Sequence, residues 1–279
     1  AYANEFHDDF SIAPQSPKWL TSDSLYWSQA TDADNSVYRG SNLTVAASAV
    51  HQSSSQKNYS FPARVKITET QPDILNATAG ISIRSDGGAG NTGYNQYYFG
   101  LYPAAGTTYW KLREFTSSQY ATDTLASGNL PLALNQYYTL KATVEALTET
   151  SCRIKVYIDG VLKATVDDTT PKTGTSAGFR VRNVTAFFDE AMVDGLSTYG
   201  YDAASELTGV RNPDNTTMVY TYDANGNRTQ VTDSTGVASY NYVYDAANQL
   251  TLITNGNCFS TGLGYDTSGN NISEGTTYR

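Results

Sequence analysis

Cysteine, histidine and methionine occur only twice each in this chain of 279 residues, and each scarcity removes a class of chemistry. Cys152 and Cys258 fall on opposite sides of a change in composition near residue 197, so no disulfide framework organises the fold. His7 and His51 stand alone, without the spacing of a metal site or a neighbouring nucleophile. Charged residues make up 16% of the chain and sum to a formal net charge of -9, which excludes the phosphate attraction of a nucleic-acid-binding surface. No apolar run reaches the roughly 20 residues that cross a bilayer, so no membrane span is expected. The opening AYANEFHDDF lacks the basic and apolar regions of a signal peptide, and any export signal is expected upstream or already removed.

What the chain has in quantity is Ser, Thr, Asn, Gly and Tyr, on a 39% apolar background that is ample for a core. Tyr and Thr suit a pleated sheet, and Gly and Asn supply turns. Up to about residue 195, short alternating runs follow one another: ARVKIT, AGISIR, YNQYYFGLY, TYWKLREF, YYTLKATVEAL and GFRVRNV. RIKVYIDGVLKATV contains two such runs joined through Asp159-Gly160, the strongest short hairpin signal a sequence offers. Cys152 alternates in phase with Ile154, Val156 and Ile158, which predicts a buried structural thiol on the apolar face of a strand. No segment holds a 3.6-residue apolar period over three turns. Many short antiparallel strands predict a two-sheet sandwich or jelly roll over residues 1–197.

From residue 199 a repeat appears. Tyr-Asp occurs at Tyr201-Asp202, Tyr222-Asp223, Tyr244-Asp245 and Tyr265-Asp266, at spacings of 21, 22 and 21 residues. The Asp can accept bonds from backbone amides two or three residues on, as in an Asx turn, and Gly226 or Gly269 supplies a left-handed position. A short strand, a second turn (NPDN, DSTG or NGN) and a Tyr-rich strand complete a β-hairpin, whose tyrosines can stack in a ladder with those of its neighbours. The segment YDANGNRT, Tyr222 to Thr229, carries the YDxxGNRT motif in full, and residues 199–279 resemble the YD or RHS repeats of bacterial RHS and toxin-complex proteins and of teneurins. That resemblance implies hairpins coiling into a β-sheet shell around a toxin or effector. Four units cannot close a shell, and nothing here matches the downstream self-cleaving segment, so no toxin is carried over. Tyr278-Arg279 occupies the slot two residues before a further Tyr-Asp, which predicts a chain that stops in mid-repeat and whose free edge contacts missing chain or another copy of itself.

Residues 5–195, with EFHDDF at the start, YYFGLYPAAGTTYWKL and IKVYIDGVLKATV within, and FDEAMVDG at the close, resemble concanavalin A-like or laminin-G-like jelly rolls. The fold class expected is therefore all-β, a jelly-roll β-sandwich over 1–197 followed by a β-hairpin YD-repeat array over 198–279. The resemblance also implies a structural calcium, matched here to Asp9, Gly40 and Asp189. Some proteins of that superfamily are glycosidases with catalytic carboxylates alternating along one strand. No such run occurs here, and the expectation is a protein without enzymatic activity.

Alternation across AGISIR, YNQYYFGLY and TYWKLR predicts a different site. If these strands are neighbours, Arg84, Gln96, Tyr98, Lys111 and Arg113 share one solvated sheet face, and such an aromatic and cationic strip suits a carbohydrate. Seven N-x-S/T sequons occur, at Asn42, Asn58, Asn76, Asn183, Asn215, Asn227 and Asn271, where about four or five would arise from composition. Asn227 belongs to the repeat motif, and Asn42, Asn58, Asn76 and Asn183 are the candidate glycosylation sites of the first domain. The expectation is an extracellular or cell-surface adhesion protein that contacts a cell-surface glycan, with two rivals: a subunit of a fibre assembled through exposed β-edges, and a glycan-degrading enzyme.

Overall fold

Tyr138, Leu140, Ala142 and Val144 alternate with polar residues, and Cys152, Ile154, Val156 and Ile158 do the same, so each run can bury one face as a strand. In the computed structural model, which describes residues 6–11, 19–21, 24–51, 57–71, 76–86, 95–103, 108–116, 121–148, 150–213, 216–234, 239–255 and 259–278, they pair antiparallel with Ala142 opposite Val156 and Val144 opposite Ile154. Cys258 and Asn215 lie outside the described residues. The hairpin expected after Ile158 is present. Asp159 and Gly160 both have positive φ (50° and 78°), the type I′ geometry whose twist matches the flanking strands.

The chain divides into two compact units, Ala1–Leu196 and Ser197–Arg279. The strands of the first are β1 (Phe6–Asp8), β2 (Trp19–Thr21), β3 (Trp27–Asp32), β4 (Asn35–His51), β5 (Tyr59–Thr70), β6 (Thr78–Ser85) and β7 (Gln96–Tyr102). They continue as β8 (Tyr109–Phe115), β9 (Ala121–Asn129), β10 (Tyr137–Thr148), β11 (Ser151–Ile158), β12 (Val161–Asp168), β13 (Ser176–Asp189) and β14 (Ala191–Gly195). No α-helix occurs among the described residues, and none is long and apolar enough to cross a membrane.

Two long strands, β4 and β13, build the sandwich by belonging to both layers. The first half of β13 pairs with β6, which leads on through β7 and β8 to β9; its second half pairs with β5, which leads through β10 and β11 to β12. The crossover falls at Asn183, where the ladder to β4 skips a residue and φ is 55°. That bulge also resets the side-chain alternation: Phe179 and Val181 are core before it, and Val184, Ala186 and Phe188 after it. Phe179 stacks on Phe188 at 4.3 Å and on Trp19 at 5.0 Å, tying both halves of β13 to one core. Each fully buried large apolar side chain contributes roughly 1.5–3 kcal/mol.

Three of the four expected glycosylation sites are incompatible with this packing. Asn42, Asn58 and Asn183 are 2%, 0% and 5% exposed, and Asn58 Oδ1 accepts from Ala146 N at 2.6 Å. A side chain enclosed in this way cannot carry a glycan in the folded state. Asn76 is exposed in a turn and keeps its candidacy. The Cys152 thiol is buried, as expected, and burial pushes its pKa up.

The second unit is a meander of β15 (Thr198–Tyr201), β16 (Leu207–Arg211), β17 (Thr217–Tyr222), β18 (Arg228–Asp233), β19 (Ser239–Tyr244), β20 (Leu250–Asn255), β21 (Phe259–Tyr265) and β22 (Asn271–Tyr278), each paired with the next. The repeat is visible atom by atom. Oδ1 of Asp202, Asp223, Asp245 and Asp266 accepts from the amides two and four residues on, at 2.8–2.9 Å. Ser205, Gly226, Asn248 and Gly269 take the left-handed position three residues after each Asp. Tyr222, Tyr244 and Tyr265 donate their hydroxyls to Leu207, Arg228 and Leu250 carbonyls, each at the start of the strand following the previous Tyr-Asp turn. Successive repeats are thereby locked in register through equivalent tyrosines.

Candidate functional site

The meander β6–β7–β8 assumed from alternation is present, and β9 extends it. Ser82 stands opposite Tyr98, and Tyr98 opposite Arg113; Gln96 pairs with Phe115, Gly100 with Lys111, and Tyr102 with Tyr109. Tyr97, Phe99, Leu101, Trp110 and Leu112 project into the sandwich core. Gln96, Tyr98, Lys111 and Arg113 therefore share the opposite face.

That face differs from the expected strip in two ways. It is not freely solvated: Gln96 is 0% and Tyr98 1% exposed, and Tyr98 packs with Tyr102 and Phe115 in a second apolar cluster. Alternation assigns a side chain to a face, but it says nothing about whether that face meets water. Nor does Arg84 belong to the strip. It sits in a bulge with φ 50°, and its Nη1 and Nη2 donate to the carbonyls of Lys172 (2.9 Å) and Lys57 (2.5 Å), so it clamps two loops. An irregularity of one residue was enough to take it out of phase.

The structure adds residues that sequence reasoning missed. Arg180 of β13 stands opposite Gly80, and its guanidinium lies 4.8 Å from the Phe115 ring centroid, with Nη1 3.4 Å from Ser48 Oγ. The Arg180 and Arg182 alternation in GFRVRNV carried the signal for its facing, but not for which strand it would join. Glycine makes room in this row. A Cβ at Gly100 would lie 2.5 Å from the Tyr98 ring, and one at Gly80 2.2 Å from the Phe99 carbonyl oxygen. Side chains are absent at two adjacent positions between Arg180 and Lys111, and the Tyr98 ring lies over the second of them.

Charge on the face runs one way. The Lys111 ammonium lies 4.8 Å from the Tyr109 ring centroid and 5.4 Å from that of Tyr102, two rings that stack on each other at 5.1 Å. Burial lowers the Lys111 pKa, and the Arg113 charge lowers it further. Burial raises the hydroxyl pKa of Tyr98 and Tyr102, so both are neutral hydrogen-bonding groups. Several polar atoms here have no partner among the described residues: Ser82 Oγ, both amide atoms of Gln96, and Arg113 Nε. Each such buried group costs on the order of 1–3 kcal/mol unless something satisfies it. On this face they form a closed, polar floor beneath the stacked tyrosines. Its rim is more open, with Tyr109, Lys111 and Arg113 half-buried and Thr124 and Ser127 of β9 exposed.

The residues matched to calcium do not fit that ion. Both Asp189 oxygens are engaged, one by Arg64 Nη1 (3.1 Å) and Asn35 Nδ2 (2.9 Å), the other by the Glu190 amide (2.9 Å). The guanidinium supplies the positive charge a cation would bring. Gly40 is paired on both sides in the β3–β4–β13 ladders, beneath the Trp27 ring, and exposed Asp9 closes a local turn onto Ser11. Among the described residues no three His, Cys, Asp or Glu side chains gather as a metal site. The carboxylates of EFHDDF and FFDEAMVD are likewise structural in part, since Asp8 accepts from Trp19 Nε1 at 2.8 Å and from the Phe10 amide at 2.9 Å.

Comparison with known proteins separates the two units. The RHS Repeat family model matches residues 201–238 and 222–257, within the tyrosine-locked hairpins. No curated protein matches the chain in sequence. Among solved structures, a carbohydrate binding module from Bacillus subtilis is similar at 18% identity and TM-score 0.49, over 63% of this chain and 95% of that one. A beta-glucanase from Bacillus licheniformis is similar at 13% identity and TM-score 0.49, over 69% and 99%. An alginate lyase mutant in complex with an alginate trisaccharide is similar at 12% identity and TM-score 0.49, over 69% and 98%.

Proposed function

We propose that the first unit is a carbohydrate-binding jelly roll without catalytic activity, displayed outside the cell or on its surface by a protein that continues into RHS-type hairpins. The observation that carries this reading is the rim of the β6–β9 face, where half-buried Tyr109, with the Lys111 ammonium 4.8 Å from its ring centroid, stands near half-buried Arg113 and exposed Thr124 and Ser127. Sugars present C–H faces that stack on aromatic rings and hydroxyls that exchange hydrogen bonds with amide, hydroxyl and guanidinium groups. The sheet supplies both on rigid strands, so little ordering accompanies binding.

The test is affinity electrophoresis of the whole chain in gels containing individual polysaccharides, repeated with Tyr109→Ala. Retardation by at least one polysaccharide, reduced in the variant, supports the site. Migration unaffected by every polysaccharide overturns it. Incubation with the retarding polysaccharide, followed by assay of newly formed chain ends, separates binding from degradation, and appearance of such ends would replace this reading with an enzymatic one.

A further inference from the structure

Some cations of the first unit stand in ion pairs and others do not. Arg64 is paired with Asp189, Lys66 with Asp32, Arg153 with Asp167 and Lys172 with Glu114. Lys111 and Arg113 have no carboxylate within ion-pair distance among the described residues, although the chain carries a net charge of -9. They stand two residues apart on one strand, where alternation puts both on the same face. Their mutual repulsion is therefore unrelieved, and the guanidinium of Arg180 adds a third positive charge on the same face. A site built only for neutral sugar would gain nothing from this arrangement, whereas an anion held between the two side chains would offset their repulsion.

We propose that the ligand of this face is an anionic polysaccharide, whose carboxylate or sulfate groups are held by Lys111 and Arg113 while its sugar rings meet Tyr109, the half-buried ring of the pair. The proposal rests on reading the face as a glycan site and names the class of glycan. The acidic remainder of the protein repels polyanions, so retention of one requires a local site and not a general attraction.

Affinity of the whole chain is measured by isothermal titration at low and moderate salt with four probes: polygalacturonate, dextran sulfate, neutral dextran and poly-glutamate. Binding is expected for polygalacturonate or dextran sulfate and weakens with salt. Whichever of the two binds identifies the anionic group. Lys111→Gln and Arg113→Gln are each expected to weaken it by about tenfold, the loss of one charge-assisted hydrogen bond. Thermal unfolding of Lys111→Gln, whose side chain is half-buried, should match the parent and exclude misfolding as the cause. Equal or tighter binding of neutral dextran, indifferent to Lys111→Gln, overturns the anionic class while leaving the glycan site standing. Poly-glutamate binding as tight as either polysaccharide overturns recognition of a sugar. Binding of none of the four overturns this proposal, and affinity electrophoresis with further neutral polysaccharides then decides whether the glycan site itself survives.

Discussion

The Tyr98 hydroxyl and Thr78 Oγ1 lie 2.8 Å apart on a face that points away from the sandwich core, yet both side chains are buried. A ring expected to meet solvent is instead a packing element over Gly100, edge-on to Phe115 at 6.1 Å. Tyr98→Ala is therefore expected to destabilise the first unit by about 3–5 kcal/mol, the range for deleting a buried aromatic ring. Tyr98→Phe keeps the ring and leaves only Thr78 Oγ1 without this partner, at about 1 kcal/mol. Denaturant unfolding of the two variants checks the order, and an alanine variant as stable as the parent would refute the packing role.

Legibility differed sharply between residues of one strand. The alternation of YNQYYFGLY places Tyr97 and Phe99 on the face opposite Gln96 and Tyr98, and both are core, because a two-residue repeat maps directly onto two faces. Tyr98 was assigned to the correct face and to the wrong environment, since whether a face meets solvent depends on long-range packing. Arg84 failed for a local reason: a bulge at positive φ shifts the phase, and no signal in AGISIR marks it. The turns of the repeats were legible because an Asx turn and its left-handed position are local, whereas the bonds from the Tyr222, Tyr244 and Tyr265 hydroxyls to carbonyls 15 or 16 residues back replace the stacked ladder that was expected. Arg180 was out of reach, since its position depends on β13 passing between two layers.

Glycan occupancy offers a test that needs no ligand. If the chain is secreted through a host that glycosylates sequons, Asn76 is the one site of Asn42, Asn58, Asn76 and Asn183 whose side chain is exposed. Peptide mass mapping should find modification at Asn76 and none at the other three. A glycan on folded protein at Asn58, whose Oδ1 accepts the Ala146 amide, would contradict the packing of that corner.

Asn183 should tolerate glycine and reject a β-branched residue. With φ at 55° it occupies the left-handed region, which glycine enters freely, asparagine at small cost and valine only with strain. Asn183→Val is expected to cost at least about 1–3 kcal/mol, and Asn183→Gly clearly less. Thermal melts of the two variants decide this. Equal losses would place the role of Asn183 in its side chain and not in its backbone.

The repeat unit should weaken in acid through its Tyr-Asp turns. The carboxyls of Asp223 and Asp266 are held below the ordinary aspartate value by the side-chain amides of Asn227 and Asn270, helped by the backbone amides that point at them. A group whose pKa is lowered on folding contributes stability that is fully present above its unfolded value. That contribution is lost as pH falls through the folded value. Both carboxylates are exposed, so the effect per turn is screened and small, but the two act in the same direction. Hydrogen exchange at the Asn227 and Asn270 amides, which bond to these carboxylates at 2.9 and 2.8 Å, should lose protection as pH drops below about 4, after correction for the intrinsic rate. Asp223→Asn retains an oxygen that can accept the amides but cannot titrate. Protection at Asn227 in that variant should be lower than in the parent at neutral pH and nearly independent of pH in the acid range. Acid loss of protection at Asn227 unchanged by Asp223→Asn would show that another group governs the turn.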